Sequence, residues 1–113
     1  MSNNIEIEYK KIWEYADSIW KLIPRGTLYP LSVDTYCDRI KALVKPIPKE
    51  IIKNRNKNLL KENLDSIRES IVWILHGIPK CGSDAAQMRQ YCIEIIRCAN
   101  KISERIKKWN SSK

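Results

Sequence analysis

Apolar residues recur along this chain in alternating steps of four and three, and they do so in four separate stretches. The first runs through Ile5, Tyr9, Ile12, Ala16, Ile19 and Ile23, and the second through Val33, Cys37, Ile40, Val44, Ile47 and Ile51. The third is Leu60, Leu64, Ile67, Ile71, Ile74 and Ile78; the fourth is Ala85, Met88, Cys92, Ile95, Ala99, Ile102, Ile106 and Trp109. A step averaging 3.5 residues keeps side chains on one stripe of an α-helix, and a helix with one apolar stripe must bury it against another. No stretch alternates with the two-residue period of a strand. The pattern therefore predicts an all-α protein, an antiparallel up-down four-helix bundle, with residues 1–113 as a single domain large enough for one core without staples.

Punctuation between the stripes agrees with four helices. Two prolines and a glycine in "IPRGTLYPL" (23–31) end helix 1 near Leu22, and Ser32 with Asp34 suits the start of helix 2. In "HGIPKCGSD" (76–84), Gly77 and Pro79 close helix 3, while Ser83 and Asp84 open helix 4. The middle boundary is less regular. The second stripe continues through Pro46 and Pro48, although proline removes a helical N–H and pushes the residue before it out of helical dihedrals. Helix 2 is accordingly expected from Ser32 to about Val44, kinked or broken at Pro46/Pro48, with a short turn from Pro48 to about Lys53. "NRNKN" (54–58) is then the connection to helix 3.

Charge is spread unevenly over this frame. The net charge is +8, of which residues 39–61 contribute +7: Arg39, Arg55 and six lysines against Glu50. Those lysines, at 41, 45, 49, 53, 57 and 61, fall at every fourth position. Steps of four drift about 40° each around a helix, so the run cannot be one straight face. Positive charge with so few counter-acids repels itself, and a polyanionic partner relieves that repulsion. The candidate nucleic-acid-binding residues are therefore Arg39, Lys41, Lys45, Lys49, Lys53, Arg55, Lys57 and Lys61. Helix 4 adds Arg97, Lys101, Arg105 and Lys108, which gather opposite its apolar stripe, with Glu94 and Glu104 diluting them.

Other chemistry finds little support. His76, the one histidine, falls near the predicted end of helix 3, where an imidazolium favours the negative helix terminus. Arg68 and His76 have seven residues between them, too many for the Arg-His signature of HEPN-type helical ribonucleases. No Gly-rich phosphate loop or paired-carboxylate signature occurs, so the chain reads as a non-enzyme without cofactors. Cys37, Cys81, Cys92 and Cys98 lack metal-ligand spacing, with Cys92 and Cys98 on nearly opposite faces, and they read as reduced thiols in a cytoplasmic setting. The longest apolar run, "IVWIL" (71–75), is too short to cross a bilayer, and the lysine run has no apolar anchors for a membrane surface.

The segment "YKKIWEYADSIWKLIPRGTLYPL" supplies Tyr9, then Ile23-Pro24-Arg25, then Tyr29-Pro30-Leu31, and the last helix places Ile102 seven residues before Trp109. In these features the chain resembles the small four-helix proteins of bacterial ribosomal-RNA intervening sequences and the accessory variability (Avd) proteins of diversity-generating retroelements. The likeness spans about residues 9–110. It departs at Pro46 and Pro48, where the family's helix 2 is unbroken, and at Lys107 and Lys108, where the family has small glycines. The resemblance implies a ring-shaped homo-oligomer, often a pentamer, with a basic surface for RNA and, in the retroelement branch, a reverse transcriptase partner. The expected function is thus an RNA-binding accessory protein. The alternative is a small helical interaction or immunity-type protein that binds an acidic protein.

Overall fold

The computed structural model describes residues 2–23, 33–45, 56–78 and 83–111. Four helices account for them: α1 (Ser2–Leu22), α2 (Val33–Val44), α3 (Lys57–Gly77) and α4 (Ser83–Ser111). Pro46 and Pro48, and with them the expected break in helix 2, lie outside the described residues. Among these residues there is no strand.

The helix ends follow from local chemistry. Beyond α1 the Ile23 N–H bonds to the Trp20 carbonyl at 3.2 Å, tightening the last turn just before Pro24. Asn56 caps α3: its side-chain oxygen accepts from the Leu59 N–H at 3.2 Å, and its backbone carbonyl accepts from Leu60. α3 thus begins inside the segment expected to be the connection, and Lys57 is helical. At the other end of α3, Gly77 remains helical and buried, while Ile78 turns extended at φ −75°, ψ 131°. The stop is therefore set by Pro79, which demands an extended residue before it, and not by a left-handed glycine.

Among the described residues each helix packs on two others, α1 on α2 and α4, and α3 on α2 and α4, and the backbones of the diagonal pairs stay apart. Contacting residues run in reversed order along neighbours. Tyr36, Arg39 and Leu43 of α2 meet Trp73, Glu69 and Asn63 of α3. Tyr15 of α1 meets Tyr91 of α4, and Glu8 meets Cys98. Arg68 of α3 reaches Asn100 and Ser103 of α4, while Lys61 faces Lys107. The result is an elongated bundle of 51 × 21 × 19 Å.

The apolar stripes form the core. Every stripe residue whose side chain is described is buried, except Ile23, which is half-buried. Ile47, Ile51 and Trp109 lie outside that description. Four residues off the stripes are buried as well: Glu8, Ser70, Gly77 and Cys98. Cys92 and Cys98 are therefore both inside, Cys98 on the flank of α4 that faces α1, which corrects the expectation that they lie on nearly opposite faces. Burial pushes the thiols of Cys37, Cys92 and Cys98 up to about 12, so all three are held protonated as small apolar groups. Cys81 lies outside the described residues.

Between α1 and α2 a single lysine is enclosed. The Lys41 ammonium lies 2.6 Å from Asp17 Oδ1 and stands over the rings of Trp13 and Trp20, at 5.3 and 5.0 Å from their centroids. Lys21 holds the other carboxylate oxygen at 3.1 Å. Hydrogen bonds from Lys41, then Lys21, hold the Asp17 carboxyl below its usual range. A depressed carboxyl stabilises the fold above its unfolded pKa near 4, and the gain is lost as pH falls through the folded value. Asp17→Asn should therefore lower the melting temperature at pH 7, with the gap to wild type closing below about pH 4. A gap that stays constant down to pH 3 would exclude this linkage.

Candidate nucleic-acid interface

The reversed order of neighbours brings the end of α2, the start of α3 and the end of α4 to the same end of the bundle. Lys45 is exposed at the end of α2; Lys57 and Lys61 are on the first two turns of α3; Lys101, Arg105, Lys107 and Lys108 are on the last turns of α4. Two basic stretches separated by some forty residues in the chain thus become one region. The start of α3 adds the partial positive charge of a helix N-terminus.

At its centre is a groove of about 340 Å³ between α3 and α4, lined by Lys57, Lys61, Leu64, Ser103, Ile106 and Lys107. Leu64 and Ile106 close the floor and are almost wholly buried, at 1% and 3% exposure. The accessible walls are therefore Ser103 and the three lysines, and the mostly apolar surface they offer is that of lysine methylene stems. Glu104 lies 3.9 Å from Lys107, too long for a tight pair and on an exposed surface. Just above the groove Arg68 ties the helices together, donating to Ser103 Oγ at 2.7 Å, Asn100 Oδ1 at 3.2 Å and Asp65 Oδ1 at 3.2 Å.

The remaining candidates are placed differently. Lys41 is removed from the set of exposed cations, because its charge is engaged by Asp17 between two indoles. Arg39 is exposed on the side of α2 next to α3, 3.9 Å from Glu69. Arg97 is held by Glu94 at 3.1 Å and, ten residues before Lys107, is about 15 Å further up α4. Lys49, Lys53 and Arg55 lie outside the described residues; Arg55 immediately precedes the cap residue Asn56 in the chain. Lys107 was not a candidate from the sequence. A count of charges opposite the apolar stripe passes over it, since it flanks that stripe beside Ile106, yet that flank is the one facing α3.

His76 is exposed in the last turn of α3, its Nδ1 2.8 Å from the Val72 carbonyl, which can only accept in that contact. Arg68 is two turns away, about 12 Å along the axis, and engaged with α4. No helix among the described residues is long and apolar enough to cross a membrane. Comparison with known proteins finds no matching family model, no matching curated protein and no matching solved structure.

Proposed function

We propose that this chain is a non-enzymatic, cytoplasmic nucleic-acid-binding accessory protein whose ligand is structured RNA. The observation that carries the reading is the meeting of Lys57, Lys61 and Lys107 around one groove, at the end of the bundle where Lys45, Lys101, Arg105 and Lys108 also reside. Concentrated cations of this kind bind phosphates and release counterions, a contribution that supplies affinity without reading sequence. The likeness to the Avd proteins of retroelements adds a reverse transcriptase as the protein served and a ring-shaped homo-oligomer, a pentamer, as the working form. Exposed Ile7, Val72, Trp73 and Ile93 offer apolar surface for contacts between copies.

Absorbance of the purified protein at 260 and 280 nm tests the proposal without further reagents. Four tryptophans and five tyrosines set a strong protein signal at 280 nm. A raised 260/280 ratio that falls after ribonuclease treatment is the expected result. A ratio typical of protein alone, together with an acidic protein carried through purification, would favour the interaction-protein reading instead.

A further inference from the structure

We infer that the groove between α3 and α4 takes an unpaired nucleotide, so that the protein selects looped or single-stranded RNA over duplex. This rests on the nucleic-acid reading above and adds to it which part of an RNA is engaged. A flat array of lysines would serve any phosphate backbone, paired or not. Here three lysines line a recess whose surface is mostly apolar, with Leu64 and Ile106 at its floor. A lysine can lay its stem against an apolar face while its ammonium reaches an anion. The ligand that fits has a flat, weakly polar body joined directly to phosphate, which is a base on its sugar-phosphate.

Size points the same way. A volume of about 340 Å³ is at the small end of ligand sites, sufficient for one base and far too small for a helix of RNA. In an A-form duplex the bases are stacked inside and only phosphates, 2′-hydroxyls and groove edges are offered, whereas loops and bulges splay bases outward. Ser103 is at the wall with its hydroxyl bonded to Arg68, and Arg68 also bonds Asn100, a second link between α3 and α4 that does not depend on the Ser103 hydroxyl.

The test measures binding of the full chain to a fluorescein-labelled 12-nucleotide RNA strand and to the duplex of the same strand, at one salt concentration. The single strand should bind several-fold more tightly, because only it offers an unpaired base to the recess. Ser103→Leu, which fills the recess, should abolish that preference, and Ser103→Ala, which removes the hydroxyl without filling it, should keep it. If Ser103→Leu does not fold, amide resonances of the wild-type protein decide. A trinucleotide should shift those of Lys61, Ser103 and Lys107, and inorganic phosphate should not reproduce the pattern. Equal affinity for strand and duplex would overturn the inference while leaving RNA binding intact, as would the same shifts with phosphate alone. No binding to either RNA would overturn both readings together.

Discussion

Replacing Ile71 or Ile95 by alanine should cost about 2–5 kcal/mol of folding stability. Both side chains are wholly buried, Ile71 on α3 and Ile95 on α4. Truncation removes the transfer free energy of the lost carbons and leaves a cavity that a four-helix interior closes only in part. Against a total of roughly 5–15 kcal/mol for a domain, either change brings the protein close to its unfolding threshold. The adjacent Val72 is half exposed, at 50%, and supplies the internal control. Val72→Ala should stay within about 0.5 kcal/mol of wild type. Urea denaturation followed by helical circular dichroism reads all three, as a shift of midpoint with an unchanged slope. Similar small losses at Ile71, Ile95 and Val72 would mean that the stripe does not face a core.

The second large effect is on binding. Changing Lys57, Lys61 and Lys107 together to glutamine should weaken RNA affinity about a hundredfold at 0.1 M salt, since three phosphate contacts and their released counterions are lost at once. Helical content should be retained, because none of the three makes a close ion pair: the nearest carboxylate, on Glu104, is 3.9 Å from Lys107. Arg39→Gln with Arg97→Gln should cost much less. Arg97 is already neutralised by Glu94, and both arginines are away from the groove. Unchanged affinity in the triple variant would reduce the lysine region to a solvated surface.

How much of this is legible in the chain depends on whether the relevant physics is local. The apolar stripes were readable because helical period is local, and the described stripe residues from Ile5 to Ile106, Ile23 apart, are buried. The end of α2 at Val44 was readable from Pro46. The start of α3 at Lys57 was not placed correctly, because the cap Asn56 stands among three asparagines and only its bond to Leu59 distinguishes it. Burial of Cys98 and Glu8 depends on which flank of α4 faces α1, and no spacing within one helix reveals that. The same is true of the candidate site. A charge count treats Lys41 like Lys61, yet Lys41 sits on the flank of α2 that meets Trp13, Asp17 and Trp20. Lys107, one position past a stripe residue, gains its place only when α3 packs beside it. Charge totals showed that a basic surface exists; helix pairing determines which lysines share it.

The most direct test of RNA binding at this basic end is the salt dependence of wild-type affinity for a single-stranded RNA between 50 and about 300 mM monovalent salt. Each phosphate contact on single-stranded nucleic acid contributes about 0.7 to the slope of log affinity against log salt. Three or more contacts from Lys57, Lys61, Lys107 and their neighbours predict a slope of about −2 or steeper. Absence of binding at 50 mM salt, or binding whose strength does not change with salt, would contradict the account.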